Sequence, residues 1–185
     1  MNTNTNSPFR VTVFCGASSG ATEDYRHAAA SLGQSMASQG VHGIYGGANV
    51  GIMGVFADSL LRHGGTVTGV IPKMLVDIEI AHPELSELII TDSMTERKQH
   101  LYRMADAFIL MPGGLGSFEE FFEVLTWLKL EIHTKPCGML NTKNYFDKLL
   151  DFLDYAVSQG FIQSKHREMI IVETEPEALL ARLKG

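Results

Sequence analysis

The chain has 185 residues, of which 45% are hydrophobic and 19% charged, a globular balance with length for one domain and too little for two. Fifteen basic residues against 21 acidic ones leave a net charge of −6, which argues against a general nucleic-acid or anionic-membrane binder but not against a small anionic ligand. No apolar run nears the ~18–20 residues of a membrane span, and two cysteines in apolar stretches, Cys15 and Cys137, exclude a disulfide scaffold and fit a reducing cytoplasm.

Residues 1–8 are Asn/Thr-rich, with neither a basic nor an apolar signal region, and read as a disordered tail ahead of a single domain over residues 9–185. Residues 10–16 (RVTVFCG) form a β-branched strand that turns through Ala17-Ser18-Ser19-Gly20, and a helix over 23–39 stops at Gly40. A strand at 42–45 leads through a glycine loop to a helix over 52–63, then a strand at 66–71 ends at Pro72. Residues 73–83 read as an irregular connection, 88–91 as a strand, and 94–104 as a helix capped by Asp92 or Ser93. The run 107–111 (AFILM) is a strand buried on both faces, followed by a glycine loop and a helix to about residue 132. Strands at 137–140 and 169–172 and helices at 145–158 and 177–183 complete the chain. Strands alternating with helices imply right-handed crossovers and a parallel sheet covered on both faces, a three-layer α/β/α domain. In such sheets ligands bind beyond the carboxyl ends of the strands, where the glycine loops fall.

The strongest motif is Pro112-Gly113-Gly114-Leu115-Gly116-Ser117-Phe118-Glu119-Glu120. It follows a buried strand and opens a helix, so its glycines admit a close ligand and the free N–H groups favour an anion. It is neither a dinucleotide fingerprint nor a P-loop, because Glu119 stands where the third glycine would and no Gly-Lys-Ser/Thr follows. The plainer alternative is a tight turn with a capping box, Ser117 at the N-cap and Glu120 at N3. A carboxylate here repels a docked phosphate unless it points past it to the sugar, where it can stabilise an oxocarbenium-like centre and orient water.

The loop Gly46-Gly47-Ala48-Asn49-Val50-Gly51 is a weaker signal, and Cys15-Gly16-Ala17-Ser18 weaker still. Arg97-Lys98 places two cations near a helix start, against the macrodipole, which a ligand anion or a carboxylate would explain; otherwise they are a solvated pair. Glu79 lies in the irregular connection and by itself reads as solvated. No His/Cys/Asp/Glu spacing suggests a metal site, and the cysteines read as inert. The helix over 117–132 is apolar nearly all round, which points to a central position or an oligomer interface.

Together these motifs resemble the LONELY GUY family of cytokinin riboside 5′-monophosphate phosphoribohydrolases, also labelled lysine decarboxylase-like. The family pattern Pro-Gly-Gly-x-Gly-Thr-x-x-Glu is matched from Pro112 to Glu120 with Ser117 in place of Thr; Met-x-x-Arg-Lys is matched at Met94, Arg97 and Lys98. Tyr45-Gly46-Gly47 with Gly51, Met53 and Gly54, Ile71-Pro72-Lys73 with Glu79 and Ile80, and Glu123-Val124-x-Thr126-Trp127 extend the match along the chain. The resemblance implies a Rossmann-like homodimer that hydrolyses the N-glycosidic bond of a nucleoside 5′-monophosphate without cofactor or metal. By position it makes Arg97 and Glu120 the catalytic pair, and gives nucleotide contacts to Glu79, Arg97, Lys98, Gly113, Gly114, Leu115, Gly116, Ser117, Phe118, Glu119 and Thr126. Retention of both Arg97 and Glu120 argues against a non-catalytic nucleotide-binding module. No Schiff-base lysine with an acidic partner is found for a pyridoxal-phosphate decarboxylase.

Overall fold

Short runs rich in Val, Ile, Leu and Phe become the strands of one sheet in the computed structural model, which describes residues 7–76 and 81–185. The strands are β1 (Arg10–Phe14), β2 (His42–Tyr45), β3 (Val67–Pro72), β4 (Glu87–Thr91), β5 (Ala107–Leu110), β6 (Cys137–Leu140) and β7 (Ile170–Glu173). All neighbours pair in parallel, in the order β4-β3-β2-β1-β5-β6-β7. The chain therefore winds outward from β1 to β4, returns to lay β5 on the other side of β1, and winds outward again. Loops leaving β1 and β5 diverge there, which opens a crevice at the carboxyl ends of the two central strands.

The helices are α1 (Glu23–Ser38), α2 (Gly51–Arg62), α3 (Lys73–Val76), α4 (Met94–Arg103), α5 (Leu115–Lys129), α6 (Asp147–Ser158), α7 (Ser164–Arg167) and α8 (Pro176–Lys184). Alternation along β1 divides the core. Val11 and Val13 face a cluster with Leu32 and Met36 of α1, Phe56 and Leu60 of α2, and Leu179 and Leu183 of α8. Phe14 faces the opposite cluster, with Leu101 and Tyr102 of α4, Phe121 and Val124 of α5, and Leu153 of α6. The helices thus form two layers about the sheet, as the alternating pattern implies.

Four local expectations are corrected. Residues 73–76 of the supposedly irregular connection form the short helix α3. Helix α5 begins at Leu115 with Gly114 as an extended N-cap, so Ser117 lies within the first turn and no capping box with Glu120 exists. The same helix ends at Lys129 rather than near residue 132, because Glu131 turns left-handed (φ 59°). There Glu131 N–H bonds Leu128 O and Ile132 N–H bonds Trp127 O, both at 3.0 Å, a Schellman closure without the usual glycine. Residues 142–144 form a 3-10 turn, and the helix expected from 145 starts at Asp147. Helix α7 was not anticipated. Residues 1–6 of the expected tail, and Glu79 and Ile80, lie outside the described residues. No described helix is long and apolar enough to cross a membrane.

Candidate active site

The crevice between β1 and β5 deepens into a cavity of about 550 Å³, within the range of small-molecule sites. Three glycine loops build its rim, and their packing assigns each a separate task. The first loop is the keystone. Gly16 N–H donates to Pro112 O at 3.1 Å, while Gly16 O accepts from Ile52 and Met53 N–H at 3.1 and 3.3 Å. The Ile52 and Met53 amides at the start of α2 are thereby consumed inside the protein. The second glycine loop is accordingly a packing device: Gly51 sits at φ 57°, and a Cβ there would run into the Ala17 carbonyl. Gly46 has another purpose, since a Cβ on it would lie 2.6 Å from Arg97 Nη2. Glycine at 46 makes room for the guanidinium.

The third loop, at the start of α5, is the open one. Among the described residues, no acceptor takes the N–H groups of Gly113 through Ser117, while Gly114 O accepts from Phe118 N–H at 3.1 Å. Gly113, Gly114, Gly116 and the buried Ser117 line the cavity. Free helix-start amides beside a hydroxyl form a cradle for an anion.

Arg97 and Glu120 meet at the same cavity. Helix α4 runs into β5 and α5 leaves it, so both pack on one face with their N-terminal halves toward the crevice. Arg97 Nη1 donates to Glu120 Oε1 at 2.8 Å, and Arg97 Nε to Val70 O at 3.0 Å, with about a tenth of either side chain exposed. Burial pushes the Glu120 carboxyl above the ordinary range; Arg97 opposes that shift, and the charge of Glu119 adds to it. A glutamate so held can stabilise positive charge and holds a proton more readily than an ordinary carboxylate.

A second set of contacts braces the pair. Lys98 Nζ bridges Glu119 Oε1 at 2.6 Å and Glu123 Oε2 at 2.7 Å, and Tyr102 Oη donates to Glu123 at 2.5 Å. Burial pulls the Lys98 ammonium down, but the two carboxylates outweigh it and hold its pKa above the ordinary value. Glu119 is thus neutralised away from the cavity. The electrostatic objection to a phosphate beside two glutamates is removed: one is paired with Lys98, the other with Arg97.

The structure gathers Arg97, Glu120, Gly113, Gly114, Gly116 and Ser117 around one cavity. It sets Lys98 and Glu119 beside it in the brace. Leu115 is 87% exposed, and Phe118 packs edge-on against Phe146. Thr126 stands apart: its hydroxyl donates to Phe122 O at 2.6 Å, and it lines a separate groove with Phe161, Ile162 and Arg167. Sequence reading gave Gly16 only a weak place in the first glycine loop and missed Tyr25, Tyr102 and Tyr145. Of the three tyrosines only Tyr102 left a signal, one helical turn after Lys98. Cys15 is buried in the cavity wall, and burial, then the charge of Glu120, pushes its thiol up, away from the thiolate a nucleophile needs. The cation lining the cavity among the described residues is Arg97 and no lysine, which does not suit Schiff-base chemistry.

These features define a Rossmann-like α/β protein whose open helix-start amides and buried arginine–glutamate pair share one cavity. Its residues 53–183 match the family model described as "Possible lysine decarboxylase". It is 43% identical over 180 residues to a cytokinin riboside 5′-monophosphate phosphoribohydrolase of Rhodococcoides fascians, covering 97% of this chain and 91% of the relative. It is 42% identical over 175 residues to one of Arabidopsis thaliana, covering 95% and 82%. The chain belongs to this family, the LONELY GUY or lysine decarboxylase-like proteins. Among solved structures, the molybdenum cofactor binding protein of Rippkaea orientalis superposes with a TM-score of 0.72 at 22% identity, covering 96% of each chain, which shows the shared fold alone.

Proposed function

We propose that the protein hydrolyses the N-glycosidic bond of adenosine 5′-monophosphate or its N6-modified forms, releasing the free base and ribose 5-phosphate. The observation that carries this reading is the Arg97–Glu120 pair at 2.8 Å on the same cavity as the amides of Gly113–Ser117. The 5′-phosphate docks on those amides, which fixes the sugar and brings C1′ to Glu120. As the C1′–N bond breaks, its electron pair leaves with the base and C1′ becomes oxocarbenium-like. The Glu120 carboxylate stabilises that charge and orients a water. The water oxygen bonds C1′, and its proton passes by way of Glu120 to the departing base. Arg97, anchored on Val70 O, keeps the carboxylate aimed and its burial tolerable.

The protein acts as a homodimer in this reading. Helix α5 is less bare than its sequence suggests, because α4 and α6 flank it: Trp127 packs edge-on against Tyr102 at 5.2 Å, and Leu128 is half-buried. An apolar surface nonetheless remains, with Phe161 87% exposed, Ile132 63% and Phe152 62%. A two-fold partner covering it would also explain Thr126, which joins a nucleotide site only from across such an interface. The two buried free thiols suit a cytoplasmic setting. Product analysis with AMP and with isopentenyladenosine monophosphate, side by side, tests the activity and reads base preference. Release of base and ribose 5-phosphate from at least one is the expected result; neither being cleaved refutes the reading.

A further inference from the structure

The Gly113–Gly114 peptide is the weak point of the cradle. Glycine on both sides leaves little to oppose rotation, and a flip would turn a carbonyl oxygen where an N–H belongs. Each carbonyl of the loop has its own tie. Pro112 O accepts from Gly16 N–H and Gly114 O from Phe118 N–H, both at 3.1 Å. Gly113 O is served by neither loop packing nor helix. It accepts from Tyr145 Oη at 2.6 Å, from 32 residues away. The carbonyls are thus engaged while the amides stay free, the sorting of polarity that an anion requires.

The turn that delivers Tyr145 is elaborately held. Lys143 and Asn144 are consecutive left-handed residues, φ 54° and 59°, a conformation that costs energy without glycine. The buried Asn141 closes the turn, its Oδ1 accepting from Phe146 N–H and its Nδ2 donating to Asp147 Oδ1, both at 2.8 Å. Phe146 is fully buried against Phe118 of α5, which anchors the turn to the same helix that carries the cradle. The Tyr145 ring then meets Tyr25 and Phe146 edge-on, at 5.7 and 5.0 Å. Two left-handed residues and the Asn141 bridge thus fix the turn that brings the Tyr145 hydroxyl to the Gly113 carbonyl.

We propose that Tyr145 is a positioning residue for the substrate phosphate: its hydroxyl locks the Gly113–Gly114 peptide with the carbonyl turned to the rim and the Gly114 N–H turned to the anion. In a trans peptide the two groups point oppositely, so fixing one fixes the other. The proposal rests on the reading that this loop holds the 5′-phosphate.

Tyr145→Phe removes the hydroxyl and keeps the ring, at a position 38% exposed where folding is not at stake. The KM for AMP and the inhibition constant of ribose 5-phosphate should rise together, about 5–10-fold, as for partial loss of one oriented hydrogen bond to a charged ligand, since the unlocked peptide still presents its N–H part of the time. The kcat should stay within about twofold and inhibition by adenine, which has no phosphate, should not change. A merely structural tyrosine would instead weaken adenine equally, and that outcome overturns the assignment. So does an unchanged KM, or a loss confined to kcat. Wild-type protein that cleaves no nucleoside monophosphate overturns the parent reading and this one together; active wild type with an unaltered Tyr145→Phe variant overturns only this one.

Discussion

Replacing Glu120 by glutamine keeps the shape of the side chain and removes its charge. Gln Oε1 still accepts from Arg97 Nη1, now 2.8 Å from Glu120 Oε1, so the geometry of the pair survives. What is lost is the negative charge that faces C1′ as positive charge develops there. Removal of one preorganised electrostatic partner costs about 10²–10³ in kcat, and loss of water orientation brings the expected drop to about 10³-fold, or ~4 kcal/mol. KM should change less than about threefold, since the interaction is made in the transition state. Stability should barely move. The variant spares the desolvation of a buried carboxylate but leaves Arg97 less well paired, opposing effects that nearly cancel to about 1 kcal/mol. That is ~2–4 °C in Tm for a domain of this size. Base release followed by chromatography, with thermal unfolding of the same samples, measures both. Wild-type kcat in the variant would refute the assigned role of Glu120. A Tm lower by 10 °C or more together with lost nucleotide binding would make Glu120 a structural residue instead.

Further outcomes follow from the same geometry. Because burial raises the Glu120 carboxyl, the acid limb of kcat/KM should lie above the ordinary glutamate range and vanish in Glu120→Gln; a limb at the ordinary carboxylate position contradicts it. The stability sign is opposite: a raised folded-state pKa favours the fold below the unfolded value, so wild type should lose stability relative to Glu120→Gln as pH rises through the folded value, seen in paired Tm–pH curves. Adenosine should be a poorer substrate than AMP by about 10³-fold in kcat/KM, the worth of two charge-assisted hydrogen bonds of ~2 kcal/mol each; equal values would refute the phosphate cradle. Gly113→Ala should raise the ribose 5-phosphate inhibition constant about tenfold or more, because the new Cβ overlaps Ser117 Oγ and lies 3.0 Å from Gly16 N. Phe161→Glu should yield monomers without turnover by light scattering and assay, whereas a fully active wild-type monomer would end the dimer proposal.

The parallel sheet was legible because the strands are short apolar runs and all but β3 are followed by a helix-period stretch, which implies parallel crossovers. The Arg97–Glu120 contact was not legible from spacing. Twenty-three positions separate the two, and only the placement of α4 over β3 and β4 and of α5 over β5 and β1, on one face of the sheet, brings them together. Arg97 did leave a trace, as a cation at a helix start where the dipole disfavours it. The trace is explained by Val70 O and Glu120, which hold that cation in place. Tyr145 left none, since its role depends on two left-handed residues that carry no glycine to announce them.

The failure at Ser117 is the most informative. Rules for helix starts look for a side chain that accepts from the first free amides, and Ser117 followed by Glu120 fits the capping box in letters. A cap of that kind would consume donors that a ligand needs. Here the helix starts earlier, at Leu115, behind a glycine with no side chain to cap it. Ser117 falls inside the first turn and lines the cavity instead. Contrast α4, which is capped from within: Ser93 Oγ accepts from Glu96 N–H at 3.1 Å, as the rule expects. The two helices follow one physical requirement, that buried or structured amides find acceptors. In α4 the acceptor is encoded in the chain. In α5 no described residue supplies it, so the position where the local rule breaks is where the proposed phosphate would dock.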